Sequence, residues 1–297
     1  MGEGAWFEMT LKTITPVQSI EEAVHLLNDP AQTSQVLAGG AGISMALRFG
    51  RLGCDRLIDI SGVVPLHQVE LVQVEKQPYL MLGTGLSLSQ LEKHPLIQAE
   101  MPHFAEVLHG SSDPARRNAY TLGGRLAARR NTGLLFPVFA VLDAVVVIVN
   151  TSGETRVPVL DWLDAGQTES QGLITAVLIP HVRPVFWQCE EVKRRQMPGE
   201  LLAGVVTTAA AFADGAPLDL RIATYVEGWG VNRWERVEQR LNGQAASDSL
   251  FQQAADELVS LLEMRWGNDA DTRYRLQVLP ALMFRCLKKI WQHAREE

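Results

Sequence analysis

A glycine pair followed by an apolar segment and a β-branched run constrains this chain more than any other feature. Residues 118–150 read NAYTLGGRLAARRNTGLLFPVFAVLDAVVVIVN. Gly123 and Gly124 lack a Cβ atom, so the backbone can approach a ligand closely there. The apolar segment 134–142 favours a helix, and residues 144–149 favour a fully buried strand. This order indicates a turn that cradles a phosphate-bearing ligand, and the competing interpretation is a tight turn beneath a helix.

A second glycine cluster lies closer to the start of the chain. Residues 36–47 read VLAGGAGISMAL, in which Gly39, Gly40 and Gly42 precede apolar residues at helical spacing. Backbone N–H groups in such a loop, at the start of a helix, form a site for an anion. Two glycine loops about eighty residues apart therefore suit a ligand with two phosphates held between two lobes.

Two common nucleotide-binding motifs are absent from the sequence. The glycines of residues 39–42 lack the G-x-G-x-x-G order, and no acidic residue is suitably placed after a strand, so a Rossmann fingerprint is not supported. No G-K-[ST] triplet occurs, which argues against a P-loop nucleotidase.

The first sixty or so residues predict a small α/β lobe. Ser19-Ile20-Glu21-Glu22 matches a capping box, in which the serine and the second glutamate cap the start of a helix. Residues 35–37 and 56–60 read as parallel strands, the first of them leading into the glycine cluster.

The following residues predict a β-hairpin and short helices. Residues 69–74 and 79–83 alternate like paired strands, with a turn around residues 76–78. Ser89-Gln90-Leu91-Glu92 matches a second capping box. Residues 110–114 read as a polar connection towards the glycine pair.

The last third of the chain predicts a separate α+β region. Two prolines bracket a polar link at residues 180–184, which indicates a domain boundary. Residues 201–212 and 218–226 read as strands, and residues 249–264 and 274–293 read as amphipathic helices.

Composition excludes several classes of function. A length of 297 residues suggests two domains with ample core. The net charge of −7 and the pI near 5.6 leave no basic stripe for nucleic acid. The longest apolar runs are too short to cross a bilayer, and the first residues, MGEG, lack a secretory signal, so we expect a cytoplasmic protein.

The cysteines do not predict a metal or cluster site. Cys54, Cys189 and Cys286 are widely spaced and form no C-x-x-C pair. They cannot build an iron–sulfur cluster or a structural zinc site, so we interpret them as reduced, structural thiols.

Several motifs, in order along nearly the whole chain, resemble the FAD subunits of molybdenum hydroxylases, the medium subunits of the xanthine dehydrogenase and CO dehydrogenase group. The matching segments are LAGGAGISMAL at 37–47, LIDIS at 57–61, MLGTGLSLSQLEKHP at 81–95 and DTRYRLQVLPALMFRCL at 271–287. Arg117-Asn118 followed by TLGG resembles the family motif R-N-x-A-T-x-G-G-N, and Lys193 also matches the family.

The resemblance implies an α+β fold of two domains. Residues 1–180 are expected to form a two-lobed FAD-binding domain of the vanillyl-alcohol-oxidase/PCMH type, with a small lobe at about 1–62 and a larger lobe at about 63–180. Residues 181–297 are expected to form a C-terminal domain of the CO dehydrogenase flavoprotein type.

The resemblance also implies the function, the cofactor and the partners. The chain is expected to be an oxidoreductase subunit that passes electrons from [2Fe–2S] clusters of a small subunit through FAD to NAD⁺ or another acceptor. A molybdopterin-binding large subunit is expected to oxidise the substrate. The flavin then supplies the chemistry, and no acid–base side chain of this chain is identified. The implied FAD-binding residues are Leu37, Ala38, Gly39, Gly40, Ala41, Gly42, Ile43, Ser111, Thr121, Leu122, Gly123, Gly124, Arg125, Ile174 and Lys193.

The chain departs from the family pattern at three places. Gly42 stands where the family has Asp, Arg125 stands where it has Asn, and residues 130–134 replace its S-P-x-x-D stretch. At this point the sequence looks closer to a diverged branch of the family that also reads GG-x-x-AAR. These departures motivate an alternative, a structural scaffold subunit without stable flavin. A stand-alone FAD oxidoreductase is a third interpretation.

Two basic clusters each have two interpretations. Lys193-Arg194-Arg195 is either a solvated turn or a site where Lys193 stabilises negative charge on the reduced flavin. Arg125, Arg129 and Arg130 either pair with the FAD pyrophosphate or meet an acidic partner subunit.

Overall fold

The structure is a computed structural model that describes residues 11–129, 133–165, 172–181, 186–193, 201–268 and 270–296. The strands are β1 Thr13–Pro16, β2 Ser34–Leu37, β3 Arg56–Asp59, β4 Val69–Val74, β5 Gln77–Gly83, β6 Val145–Asn150, β7 Gly153–Pro158, β8 Leu173–Pro180, β9 Phe186–Lys193, β10 Leu201–Ala209, β11 Ala211–Ala213, β12 Ala216–Leu218, β13 Arg221–Val226 and β14 Gly230–Arg233.

The helices are interspersed with these strands, which confirms the mixed α+β class. They are α1 Ile20–Leu27, α2 Ala41–Arg48, α3 Leu88–Glu92, α4 Pro95–Glu100, α5 Pro102–Gly110, α6 Pro114–Ala119, α7 Leu122–Ala128, α8 Leu135–Val141, α9 Val159–Asp164, α10 Glu235–Leu241, α11 Asp248–Trp266 and α12 Ala270–Ala294, with a 3₁₀ helix at Val64–His67.

Internal contacts divide the chain into two compact units. The first unit comprises residues 1–94, 114–130 and 145–179, and the second comprises residues 95–113, 131–144 and 180–297. A domain division at residue 180 stays a prediction, since these units are defined by contacts and not by chain order. Residues 182–184 of the predicted link lie outside the described residues.

The first unit contains two sheets. Strands β1, β3 and β2 form a parallel sheet in that order, so the predicted parallel pairing of β2 with β3 is confirmed. Strands β4-β5-β8-β6-β7 form a second sheet. An apolar cluster that includes Val24 of α1, Ile58 of β3 and Leu173 of β8 packs the two sheets against each other.

The second unit is built on the antiparallel sheet β14-β13-β10-β9. Ala203 and Val205 of β10 belong to the cluster formed with α11 and α12. Between them, Gly204 has no side chain, and a Cβ atom there would lie 2.4 Å from Cδ2 of Leu134, just before α8. Because neighbouring strand residues face opposite sides of a sheet, α8 and α12 cover opposite faces.

The predicted hairpin turn around residues 76–78 is wrong by two residues. Strand β5 begins at Gln77 and includes Pro78, and the turn consists of Glu75 and Lys76 with φ angles of 51° and 70°. A two-residue hairpin turn of this hand requires positive φ at both positions. Non-glycine residues rarely adopt positive φ, so a turn placed at Glu75 and Lys76 was not expected from the residue types.

The second predicted capping box is also displaced by two residues. Ser87, and not Ser89, caps helix α3: its side chain accepts from the Gln90 N–H, and the Gln90 side chain accepts from the Ser87 N–H. The first capping box is half formed. Ser19 accepts from the Glu22 N–H at 3.1 Å, but the Glu22 carboxylate accepts from the N–H of Gln18.

Two elements were missed where the sequence indicated connections. The polar connection expected at residues 110–114 ends where helix α6, Pro114–Ala119, begins, and this helix was not predicted. Strand β9, which was not predicted, includes Lys193. Arg194, Arg195 and Arg130 lie outside the described residues.

Candidate functional site

The first glycine loop, residues 38–43, connects strand β2 to helix α2. Gly40 caps α2 with φ at 75°, a conformation that favours glycine. The N–H groups of Ala41, Gly42 and Ile43 lie in the first turn, where a helix offers them no acceptor. Gly42 is exposed, and a Cβ atom added there would meet nothing within 4 Å. The loop therefore offers backbone N–H groups at a helix start that has no side-chain cap and no acidic residue in its first turn, which fits an anionic group.

The second glycine loop, residues 121–125, runs into helix α7. Thr121 caps this helix, and Gly123 packs so closely on Thr84 that an added Cβ atom would lie 2.9 Å from the Thr84 Cβ. Each N–H group from residue 122 to residue 125 is already bonded within the protein: Leu122 to Leu86 O at 3.0 Å, Gly123 to Thr84 O at 2.8 Å, Gly124 to Thr121 Oγ1 at 3.1 Å and Arg125 to Thr121 O at 3.0 Å. This loop offers a ligand the exposed, side-chain-free surface of Gly124 and no first-turn donors.

A direct contact brings the two glycine loops together. A Cβ atom on Gly39 would lie 2.1 Å from the Ala119 carbonyl oxygen and 3.1 Å from Cγ2 of Thr121. Because real Cβ atoms do not approach backbone that closely, only glycine at position 39 permits this arrangement. The two clusters that are far apart in the sequence therefore belong to one surface of the first unit.

Two arginines of helix α7 stack on aromatic rings. The guanidinium carbon of Arg125 lies 4.7 Å from the centre of the Tyr120 ring, and that of Arg129 lies 4.5 Å from the Trp162 ring. Burial lowers the pKa of the Arg129 guanidinium. These stacks fix where the two positive charges lie, one on α7 and one at the residue that caps the C-terminal end of α7.

Some of the predicted residues of the first unit contribute packing instead of a reactive side chain. Leu122 is fully buried, and Ile174 is buried within β8. The Ile174 carbonyl accepts a hydrogen bond of 2.7 Å from Oγ1 of Thr84. Thr84, which the sequence did not single out, thus joins β8 to the second glycine loop.

The second unit brings two further predicted residues close together. Ser111 is 1% exposed, and its hydroxyl donates to the Leu108 carbonyl at 2.7 Å. Lys193 donates to the neighbouring Gly110 carbonyl at 3.3 Å and pairs with Glu191 at 2.5 Å. The assignment of Ser111 and Lys193 to the flavin stays a prediction, and the Glu191 carboxylate offsets part of the lysine charge.

One buried ion pair near the glycine loops was missed from the sequence. In the sequence, Arg117 is recognisable only as part of the R-N motif, and Glu92 only as part of a predicted capping box. In the structure Nε of Arg117 donates to Oε2 of Glu92 at 2.9 Å, and the side chains are 9% and 12% exposed. No local pattern predicts such a pair, because its members are twenty-five residues apart.

The sequence matches a family model over residues 9–182, and the model describes the FAD-binding domain in molybdopterin dehydrogenase. The chain belongs to this family. The predicted membership of the molybdenum hydroxylase flavoproteins is therefore confirmed, as are FAD as the cofactor and the class of oxidoreductases.

Named relatives of this FAD-binding family member align along most of its length. The carbon monoxide dehydrogenase medium chain of Hydrogenophaga pseudoflava is 25% identical over 282 residues, which cover 92% of this chain and 95% of the relative. The 6-hydroxypseudooxynicotine dehydrogenase complex subunit alpha of Paenarthrobacter nicotinovorans is 24% identical over 280 residues, 93% of each chain. The nicotinate dehydrogenase FAD-subunit of Eubacterium barkeri is 24% identical over 63% of this chain and 65% of the relative.

Solved structures share the fold of this FAD-binding family member. Quinoline 2-oxidoreductase from Pseudomonas putida 86 matches with a TM-score of 0.80 and 24% identity over 96% of this chain and 98% of that chain. Carbon monoxide dehydrogenase from Hydrogenophaga pseudoflava matches with a TM-score of 0.81 and 22% identity over 95% and 98%. These likenesses confirm the flavoprotein fold with its additional C-terminal region. Across the described ranges, no helix is both long and apolar enough to cross a membrane.

Proposed function

We propose that this chain is the FAD-binding electron-transfer subunit of a molybdenum hydroxylase complex. In this proposal it receives electrons from the [2Fe–2S] clusters of a small partner subunit and passes them to NAD⁺ or another acceptor. A molybdopterin-binding large subunit oxidises the substrate. Relatives named as a medium chain, a subunit alpha and an FAD-subunit support this division of labour.

The observation that carries the proposal is the junction of the two glycine loops. The first loop supplies backbone donors at the start of α2, and Gly39 lets it lie against Ala119, directly before the second loop. A dinucleotide cofactor has two adjacent phosphates, and backbone donors at a helix start suit them. When bound, FAD supplies the redox chemistry, while this chain holds and orients it and sets its electrostatic surroundings.

One observation supports the second candidate function, a structural scaffold subunit of the same kind of complex. All four N–H groups from Leu122 to Arg125 are bonded within the protein, so the second loop has few groups left to hold a phosphate. The two candidates differ in one property that can be measured, the retention of FAD.

The experiment that tests the electron-transfer proposal uses the native complex, isolated through an affinity tag on this chain. Its molybdenum, iron and flavin contents are measured first. NADH is then added without oxygen while the flavin and iron–sulfur absorbances are followed. Rapid bleaching of flavin and then of the clusters supports NAD⁺ as the acceptor. A flavin that only dithionite reduces supports another acceptor, and a complex without flavin supports the scaffold.

A further inference from the structure

We propose that the ion pair between Glu92 and Arg117 is a positioning pair that sets both glycine loops at once, so that FAD affinity depends on it. This inference rests on the proposed FAD-binding function. Neither side chain is assigned a contact with the cofactor. The pair acts through α6, the short helix that ends where the two loops meet.

The pair fastens α6 to α3. Nε of Arg117, on α6, donates to Oε2 of Glu92, on α3, at 2.9 Å. Both side chains are about nine-tenths buried. A buried ion pair adds little net stability compared with apolar residues of the same volume, yet removing one partner leaves an uncompensated charge. The pair therefore specifies the position of α6 more than it stabilises the fold.

The same two segments are joined again beside the second glycine loop. The N–H of Leu88 donates to the Tyr120 carbonyl at 2.8 Å, and the N–H of Leu122 donates to the Leu86 carbonyl at 3.0 Å. These bonds enclose an isolated bridge between Ser87 and Thr121. Residues 120–122 are thus held against the start of α3, while the ion pair holds the end of α3 against α6.

The first glycine loop rests on the end of the same helix. Ala119 is the last residue of α6, two positions after Arg117, and its carbonyl oxygen fills the space where a Gly39 side chain would lie. A shift of α6 therefore moves the support of the first loop together with the start of the second loop. The ion pair couples two loops that lie about eighty residues apart in the sequence.

The chain offers a matched control pair in the same unit. Nη2 of Arg56 lies 3.0 Å from Oδ2 of Asp29, with side-chain exposures of 11% and 27%. Arg56 pairs with Ser34 at the start of β2, whereas the first glycine loop follows Leu37 at the other end of that strand. Removing this pair changes the charge of a part-buried site away from both loops.

The test compares Glu92→Gln with Asp29→Asn in the full chain. The dissociation constant of FAD is measured well below the melting temperature, and amide hydrogen exchange of the flavin-free protein is followed in both loops. We expect Glu92→Gln to weaken FAD binding by roughly tenfold to a hundredfold, by analogy with the loss seen when a partner that orients a metal ligand is removed. Exchange should become faster at the bonded amides of residues 122–125 and at Ser44, whose N–H donates to the Gly40 carbonyl of the first loop at 2.8 Å. Asp29→Asn should leave affinity and loop exchange unchanged.

The outcomes separate this inference from the proposed function. A wild-type chain that takes up no FAD contradicts FAD binding, and the hydrogen-exchange comparison then still decides whether the pair couples the loops. Unchanged exchange in either loop of Glu92→Gln overturns the inference. If Glu92→Gln does not fold, Glu92→Asp keeps the charge and withdraws the carboxylate by one methylene, and the same two measurements should change in the same direction. Unchanged values there also overturn the inference.

Discussion

In the first glycine loop Gly40 adopts a left-handed conformation, and the following N–H groups lie in the first turn of α2, where the helix offers them no acceptor. In the second loop every N–H from Leu122 to Arg125 is bonded within the protein. Both loops pair adjacent glycines with a helix start, and the sequence suggests the same role for both. The difference teaches that the glycines serve two purposes. In the first loop the glycines leave backbone N–H groups available to an anion. In the second loop the hydrogen bonds hold Gly124, which has no side chain, at a fixed position.

The largest effect is expected where the two loops touch. Gly39→Ala places a Cβ atom 2.1 Å from the Ala119 carbonyl, and backbone must move to relieve the clash. We expect a loss of about 1–3 kcal/mol in the free energy of unfolding, as for overpacked sites, together with loss of FAD binding. Denaturant unfolding and FAD titration measure the two effects. The control Gly42→Ala, whose Cβ meets nothing within 4 Å, should not lower the free energy of unfolding.

The next effect tests the side-chain-free surface of the second loop. Gly124→Val should abolish FAD retention, because a branched side chain blocks the approach of the backbone to the cofactor. Flavin released after denaturation measures retention. Ala127→Val, at an exposed position of the same helix, controls for the poor helix propensity of valine and should retain FAD. Unchanged flavin content in Gly124→Val would refute the role assigned to the second loop.

A smaller effect separates the two interpretations of the arginines on α7. One interpretation is that the second loop binds the FAD pyrophosphate through the Arg125 side chain and not through its N–H groups. In that case Arg125→Met should weaken FAD binding about tenfold, which is the loss expected for one charge-assisted hydrogen bond. Titration of FAD at low and high salt measures this loss. Unchanged FAD affinity together with weaker assembly of the complex would instead support an acidic partner subunit.

The smallest effect is expected at Thr121, whose side-chain oxygen accepts the hydrogen bond from the Gly124 N–H. Thr121→Ala removes the oxygen that accepts this hydrogen bond and should lower the free energy of unfolding by about 1 kcal/mol, the usual cost of losing an N-cap. Thermal unfolding measures it, with Thr121→Ser, which keeps the hydroxyl, as the control. A stability equal to that of the wild type would show that the second loop is held by its other bonds.

Long periodic elements of this fold could be predicted from the sequence because a local pattern specifies them. The β-branched run at β6 and the helical spacing in α11 and α12 appear in the structure as predicted. The glycine loops were found because glycine marks places where a Cβ atom does not fit. Elements without such a pattern were missed or displaced, such as the turn at Glu75 and Lys76 and the short helix α6.

The site was less predictable than the fold because its decisive partners are distant in the sequence. Two N–H groups of the second loop donate to the carbonyls of Thr84 and Leu86, which lie far away in the sequence. Because every residue has a carbonyl, no residue type marks these acceptors in the sequence. The ion pair of Glu92 and Arg117 likewise depends on how α3 and α6 pack together. Only the three-dimensional structure shows that the N–H groups of the second loop are bonded within the protein, whereas those of the first loop lie at a helix start without a side-chain cap.

The amount of FAD released from the purified, denatured chain tests the central claim most directly, with added FAD supplied to any preparation that is colourless. We expect an equimolar amount of FAD, either as purified or after reconstitution, and a visible spectrum typical of a bound flavin. A folded chain that carries no FAD and takes up none would show that the glycine loops serve only the structure of a scaffold subunit.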